Sequence, residues 1–248
     1  MKIFKKFVGS LGYKLIEKNL IKNDRIISSY DIFNIENFMD ALISFNKDIE
    51  IIQVGSNDGV SDDFLNDYIK KNNLKSILVE PIKENFNKLK KNYENFENVK
   101  FENSAIGKEN EKKGIFQVQD KYLDKYGSHV PYISSFSSEH LIKHGVKKRH
   151  IIRTEVEVLS PTSLLQKYDV KKFDLLVVDT EGYDNIIVEE FLKLKIQKLF
   201  IVFEWIHIKN SEFLNLCNLL KENNYKLIKI GKDLVCIPSN TNFKMVLI

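Results

Sequence analysis

The sequence predicts a Rossmann-like α/β fold: a seven-stranded, mostly parallel sheet with a C-terminal antiparallel hairpin and helices on both faces. From residue 49 onward, short apolar runs alternate with segments of helical periodicity, which is typical of right-handed crossovers in a parallel sheet. A glycine turn from Gly55 to Gly59 follows the first run, as in nucleotide-binding half-sites. Only Gly231 and Lys232 separate the last two runs, and a two-residue hairpin requires one of them to run antiparallel.

The individual elements follow from the apolar pattern. Strands are predicted at 49–54, 75–79, 98–103, 174–178, 198–203, 225–230 and 233–237, with helices near 61–72, 83–95, 161–168, 184–193 and 211–223. Two further amphipathic helices are predicted over 2–22 and 30–45. We therefore expect an N-terminal helical segment (1–46) and one α/β domain (47–248).

Residues 119–153 interrupt this pattern. They show no clear alternation and carry four of the five histidines together with a basic cluster. Long irregular connections in compact domains are usually functional. The sequence therefore predicts a lid insertion here, between the third and fourth strands, that folds over the crevice.

Composition excludes several classes of protein. Residues 1–25 carry a net charge of +5 while the whole chain of 248 residues carries +4, so the body is not a basic nucleic-acid binder. No apolar run is long enough to span a membrane, and no signal peptide is evident. Cys217 and Cys236 are expected to be buried thiols in a reducing compartment, which indicates a cytoplasmic protein. The basic helix 2–22 is expected to pack onto the domain, with attachment to a membrane surface as the alternative.

The first two strand ends predict the cofactor. The apolar strand 51–54 leads into Gly55, Ser56, Asn57, Asp58 and Gly59, and the second strand delivers Glu80, followed by Pro81. A carboxylate at this place can accept hydrogen bonds from both ribose hydroxyls. The turn lacks the close glycine pair of a pyrophosphate site and carries an acid that would repel phosphate. We therefore expect an adenosine ligand without phosphates, S-adenosyl-L-methionine, with Gly55 near its methionyl part and Asn57 or Asp58 near its ammonium group.

Four motifs in this order resemble the FkbM-type family of S-adenosylmethionine-dependent methyltransferases: VGSNDG, LVEP, NSAIG and VVDTEGYD, within about residues 49–206. The resemblance implies the class I methyltransferase fold. It also implies that Ser104 and Ala105, after the third strand, frame the adenine ring. The family's usual D-V-E-G-A-E appears here as D-T-E-G-Y-D, so Tyr183 and Asp184 are variants of the pattern.

Candidate catalytic residues follow the fourth and fifth strands. Asp179 and Glu181 could balance the sulfonium charge, deprotonate a hydroxyl or bind a divalent ion. His207 could accept a proton as the methyl group transfers, because an imidazole titrates near neutral pH. The alternative for His207 is a packing or solvent-facing role.

The lid supplies the candidate substrate-binding residues, which are Ser135, His140, His144, Arg149 and Arg153. The spacing of four between His140 and His144 suits a metal pair, but the H-E-x-x-H glutamate is absent. No metal site is therefore predicted, and binding of an anionic substrate is favoured for these residues.

Together these observations predict an O-methyltransferase acting on a hydroxyl of a sugar, nucleotide sugar or related small polar acceptor, in surface glycan (polysaccharide) or metabolite tailoring. Two alternatives stay open. One is an NAD-type dinucleotide-dependent oxidoreductase, and the other is a non-catalytic scaffold docked to a membrane through residues 1–22. The sequence leaves the oligomeric state open.

Overall fold

The structure, a computed structural model, describes residues 34–127 and 133–243. Its strands are β1 (Glu50–Val54), β2 (Lys75–Val79), β3 (Val99–Glu102), β4 (Ala105–Ile106), β5 (Glu111–Val118), β6 (Ser134–Ser135), β7 (Ile151–Leu159), β8 (Leu175–Val178), β9 (Phe200–Glu204), β10 (Tyr225–Ile230) and β11 (Asp233–Pro238). Its α-helices are α1 (Ile35–Phe45), α2 (Leu65–Asn72), α3 (Lys83–Asn92), α4 (Ser138–Lys143), α5 (Pro161–Lys167), α6 (Asp184–Lys193) and α7 (Asn210–Glu222). The helix predicted over 2–22 lies outside the described residues.

The main sheet has seven strands in the order β10-β11-β9-β8-β1-β2-β3. The contacts among β9, β8, β1, β2 and β3 are parallel, and β11 runs antiparallel to both of its neighbours, β9 and β10. The strand order reverses between β1 and β8. This confirms the predicted fold, and it leaves a crevice beyond the carboxyl ends of β1 and β8.

Both faces of the sheet are buried because successive residues of a strand point to opposite sides. In β8, Leu175 and Val177 join one apolar cluster, to which α1, α2 and α3 contribute. Leu176 and Val178 join the other, which includes α5, α6 and α7. A strand covered on both faces reads as a continuous apolar run, which is why the sequence indicates these strands clearly.

Helix α1 begins where the side chain of Asn34 accepts a hydrogen bond from the backbone N–H of Asn37 at 2.8 Å. Its buried face carries Phe38, whose ring lies 6.2 Å from that of Phe200. Within the described ranges, no helix is long and apolar enough to cross a membrane.

A second sheet, which was not predicted from the sequence, lies in the chain between β3 and α5. It has four strands in the order β4-β7-β5-β6, and its main contact is an antiparallel ladder between β5 and β7. The predicted lid (119–153) contributes β6, α4, two 3₁₀ turns (Asp120–Lys125 and Lys148–His150) and the start of β7. Part of the predicted lid therefore has regular secondary structure, and β6 brings Ser135 to the crevice.

Candidate active site

A cleft of about 270 Å³ lies at the carboxyl ends of β1, β2 and β8. Seven of the predicted cofactor residues line it: Gly55, Ser56, Asn57, Glu80, Pro81, Ala105 and Asp179. The others, Asp58, Gly59 and Ser104, are not among its lining residues. The predicted catalytic residues Glu181 and His207 also face this cleft.

The floor of the cleft depends on the turn after β1. Gly55 has φ +86°, and a Cβ atom there would overlap the backbone carbonyl oxygen of Asp179. The backbone N–H groups of Gly55 and Ser56 both donate to the carbonyl of Val79 at 3.0 Å. A side chain at position 55 would therefore push β1 and β8 apart where the crevice opens.

Glu80 is the buried acid of the cleft, with 4% of its surface exposed. One carboxylate oxygen accepts the backbone N–H of Asn57 at 2.9 Å, and the other accepts that of Ile82 at 2.8 Å. Burial raises the Glu80 pKa to about 7, although these hydrogen bonds lower it. The amide of Asn103 donates to the carbonyls of Glu80 and Pro81 and fixes the backbone at this strand end.

The Asp58 carboxylate, unlike that of Glu80, is hydrogen-bonded within its own turn. Its carboxylate accepts the backbone N–H groups of Val60 and Ser61 at 3.0 and 2.8 Å, and the Ser61 hydroxyl at 2.8 Å. Burial acts to raise the Asp58 pKa, but these hydrogen bonds hold it below its ordinary value. The carboxylate thus closes its own turn, whereas Asn57 lines the cleft.

The turn after β8 is strained and held by a buried acid. Glu181 has φ +54°, which is uncommon for a residue with a side chain. Asp184, fully buried, accepts the backbone N–H groups of Thr180 and Gly182 at 3.0 Å each. Burial, followed by the charge of Asp179, raises the Asp184 pKa to about 8. On the lid side, the Ser135 hydroxyl donates to the Glu181 carbonyl at 3.2 Å.

Lys232 joins two acids at the ends of β8 and β9. Its ammonium group lies 3.4 Å from Asp179 Oδ2 and 3.1 Å from Glu204 Oε1. Burial raises the pKa of Asp179 although Lys232 opposes it. Burial, reinforced by the charge of Asp179, also raises the pKa of Glu204.

Three histidines from two parts of the chain cluster near Glu181. Glu181 Oε2 lies 2.8 Å from His140 Nε2 and 3.4 Å from His207 Nε2. The ring centre of His144 lies 4.7 Å from that of His140 and 5.2 Å from that of His207. Burial lowers the His207 pKa, against the opposing charge of Glu181, and the two neighbouring imidazoles lower it further. Burial would raise the Glu181 pKa, but the bond from His140 and the charge of His207 hold it low.

The structure does not bring the two predicted lid arginines to the cleft. Arg149 contacts His150 at 3.4 Å, and Arg153 lies on β7 beside Gly114. The cleft is instead lined by groups that the sequence analysis missed, which are Asp62, Asp63, Phe64, Phe136, Thr180, Tyr183 and Lys232. The sequence identified Lys232 only as a turn residue. Its contact with Asp179 could not be predicted because 53 positions separate the two residues.

The model of the methyltransferase FkbM domain matches residues 53–227, which is more than two thirds of the chain. This chain belongs to the FkbM methyltransferase family. The match confirms the predicted family. A search of curated proteins gave no match.

Solved structures of methyltransferases are similar to this FkbM chain at low identity. The FkbM methyltransferase from Methylobacillus flagellatus KT has 11% identity and a TM-score of 0.49, over 77% of this chain and 44% of that protein. This chain therefore spans less than half of that protein's length. The O-methyltransferase from Bacillus cereus, in complex with SAH, has 11% identity and a TM-score of 0.44, over 95% of this chain and 97% of that one.

The FkbM cleft has unsatisfied polar groups that suit a polar ligand. Asn57 Oδ1 and Thr180 Oγ1 are buried in residues that line it, and neither has a hydrogen-bond partner among the described residues. Buried polar atoms normally have partners, so a ligand with N–H or O–H groups fits here. The amino group and ribose of S-adenosylmethionine supply such donors, and Ala105 and Ile106 provide an apolar wall for a flat ring.

Proposed function

We propose that this FkbM domain transfers the methyl group of S-adenosylmethionine to a hydroxyl oxygen of a sugar, nucleotide sugar or related small polar acceptor. The observation that carries the proposal is Glu80. Its carboxylate is buried at the cleft, each oxygen accepts one backbone N–H, and each keeps capacity for one more hydrogen bond. Two adjacent hydroxyl groups of a ribose match that capacity.

The cofactor, when bound, supplies a methyl group on a positively charged sulfur. The residues of the chain orient the partners and handle the proton. Glu80 binds the ribose, Asn57 binds the amino group, and Asp179 supplies negative charge at the end of β8. Such positioning accounts for much of the acceleration in an in-line transfer between bound partners.

The acceptor hydroxyl has to lose its proton, and His207 is the proposed base. Burial lowers its pKa, so the ring is neutral at neutral pH and has a lone pair for a proton. The neighbouring carboxylate of Glu181 would stabilise the imidazolium that forms. Ser135 and Tyr183 also line this end and offer hydroxyl groups for orienting a polar acceptor.

The setting of the reaction is also a proposal. Cys217 and Cys236 are both buried and free, which suits a reducing compartment, so we propose a cytoplasmic role in glycan or metabolite tailoring. Arg149 and Arg153 lie away from the cleft, and the proposal does not depend on an anionic acceptor.

Calorimetric titration with S-adenosylhomocysteine tests whether the cleft binds the proposed cofactor. Micromolar binding that Glu80→Ala weakens by at least about 10-fold is expected, because a charge-assisted pair of hydrogen bonds contributes more than about 1.4 kcal/mol. Equal binding to both proteins, or none to either, would refute the proposal. Titration with NADH, followed by fluorescence, tests the alternative that the protein is a dinucleotide-dependent oxidoreductase.

Methyl transfer is tested with labelled cofactor and a panel of sugars and nucleotide sugars, comparing the native protein with His207→Gln. Product with the native protein and a large loss with the variant are expected. Cofactor binding without product, together with sedimentation on liposomes that requires residues 1–22, would instead favour the scaffold.

A further inference from the structure

The acceptor end of the cleft carries a set of metal-ligating side chains. His140 and His144 come from the lid at α4, Glu181 from the turn after β8, and His207 from the turn after β9. One ligand atom from each lies within 4.8 Å of the others. Around a tetrahedral ion with bonds of about 2.0–2.1 Å, donor atoms lie about 3.4 Å apart, so the widest pair has to close by about 1.4 Å.

No metal site was predicted from the sequence because the histidine pair lacks the glutamate of H-E-x-x-H. In the folded chain a carboxylate comes from elsewhere: Glu181 lies 41 residues from His140 and contacts it at 2.8 Å. A third imidazole, His207, lies 3.4 Å from the same carboxylate oxygen. Folding therefore assembles from distant positions the donor set that the local motif does not contain.

The backbone at Glu181 is an independent observation. A left-handed conformation costs about 1–2 kcal/mol for a residue with a side chain. Asp184 and Ser135 hold the turn from opposite sides. Strain of this kind persists where the surrounding structure enforces it, and it concentrates at ligand sites. Here it directs a carboxylate to the imidazoles of His140 and His207.

A second carboxylate, that of Glu204, lies beside the cluster. Imidazoles that bind metals usually donate their other N–H to a carboxylate or carbonyl group. Glu204 is buried, and its Oε2 lies 3.5 Å from His207 Nε2. That oxygen has no hydrogen-bond partner among the described residues. Because Nε2 also faces Glu181, Glu204 accepts this N–H in the metal-bound state if the ring presents Nδ1 to the ion.

We propose that His140, His144, Glu181 and His207 bind a divalent transition-metal ion of the zinc class. Three nitrogen donors and one carboxylate suit zinc, iron, nickel or cobalt, whereas magnesium and calcium prefer oxygen donors. Three of the four ligands line the cleft, so the ion lies within reach of a molecule bound there.

The position suggests what the ion does. A bound transition-metal ion can hold a hydroxyl oxygen and lower its pKa. The ion would thus orient and activate the acceptor, with the oxygen as a fifth ligand. In the metal-bound state the lone pair of His207 is on the ion, so the ion takes over from His207 the activation of the acceptor, and His207 acts as the base only in the metal-free protein. This role rests on the proposed function, whereas the existence of the metal site does not.

The experiment measures the metal directly. The full-length protein is stripped with a chelator and titrated with Co²⁺, whose visible absorption reports the coordination geometry, and Zn²⁺ then competes for the site. One equivalent of Co²⁺ is expected, with displacement by Zn²⁺ and no comparable uptake of Mg²⁺. His140→Ala, His207→Ala and Glu181→Gln should each weaken binding by more than about 100-fold, since supporting residues outside the ligand set already contribute 10–100-fold.

His150→Ala is the matched control. His150 belongs to the same lid segment, but it stacks on Tyr122 with ring centres 3.8 Å apart and is not among the four ligands. Circular dichroism confirms that each variant is folded, and Glu139→Gln on the exposed side of α4 replaces His150→Ala if that variant unfolds. The controls should keep native Co²⁺ affinity.

The outcomes separate the two proposals. Less than half an equivalent of Co²⁺, or equal affinity in the native protein and the ligand variants, would overturn the metal site. S-adenosylhomocysteine binding is measured on the metal-free protein, so its absence would count against the proposed function alone. A metal that binds and leaves the transfer rate unchanged would overturn only the activating role.

Discussion

Glu80 should make nucleoside binding depend on pH, and the magnitude follows from its surroundings. Burial raises the Glu80 pKa to about 7. A carboxylate accepts hydrogen bonds from both ribose hydroxyls only when it is ionised. About one tenth of the Glu80 side chains are ionised at pH 6 and about nine tenths at pH 8, so affinity should rise about 10-fold over this range.

The assay uses adenosine, because its base and sugar do not titrate between about pH 6 and pH 8. Calorimetry in buffers of different ionisation enthalpy gives both the Kd and the protons exchanged. About half a proton per nucleoside should be released at pH 7, where half of Glu80 is protonated before binding. S-adenosylhomocysteine should show the same trend, superimposed on the titration of its own amino group.

Two variants test whether Glu80 is responsible. Glu80→Gln cannot ionise, so its weaker binding should be independent of pH. Asp63 also lines the cleft, and burial raises its pKa only to about 6. Asp63→Asn should therefore keep the rise in affinity between pH 7 and pH 8. A Kd that stays constant from pH 6 to pH 8 in the native protein would contradict this role of Glu80, as would an unchanged pH dependence of the Kd in Glu80→Gln.

Three further predictions concern stability. Gly55→Ala should unfold the domain or lower its Tm by far more than Gly145→Ala; both glycines have positive φ, but a Cβ at Gly145 would meet nothing within 4 Å. Lys232→Met should lower the free energy of unfolding, measured with denaturant, by about 1–3 kcal/mol, because two acids lose their shared cation. This loss should be larger at pH 8 than at pH 6. Lys209→Met, at an exposed ion pair, should lower the free energy of unfolding by less than about 0.5 kcal/mol. Because burial raises the Asp184 pKa to about 8, its contribution to stability is present below about pH 4 and is lost as pH rises to about 8. Asp184→Asn should remove this part of the decline in unfolding free energy with rising pH. Parallel curves of unfolding free energy against pH for the native protein and the variant would contradict this.

The main sheet could be predicted because its strands are buried on both faces. Residues 175–178 form an unbroken apolar run, and the antiparallel hairpin at Gly231 leaves a clear turn signal. Strands β5 and β7 were missed because charged residues interrupt their apolar runs: β5 begins with Glu111, Lys112 and Lys113, and β7 contains Arg153, Glu155 and Glu157. Val156 and Val158, which alternate with glutamates, were the available signal, but the strand also contains exposed residues without that alternation.

The candidate site also has a part that the sequence predicts and a part that it does not. Strand ends can be located from the sequence, so the sequence alone placed Glu80, Asp179 and Glu181 at one edge. Contacts between distant segments could not be located, because nothing in the local pattern relates Lys232 to Asp179. The arginines of the lid were assigned to the substrate from charge alone, and β7 carries one of them beside Gly114 instead.

The turn after β8 shows why residue types alone were insufficient. A carboxylate at position 181 can face many partners, and the sequence left charge balance, proton transfer and metal binding open. The left-handed backbone at Glu181, held by Asp184, determines which partners it meets: His140 on the lid and His207 after β9. This arrangement costs conformational energy, and strained backbone concentrates at ligand sites, so a ligand at Glu181 explains it better than the stability of the fold does.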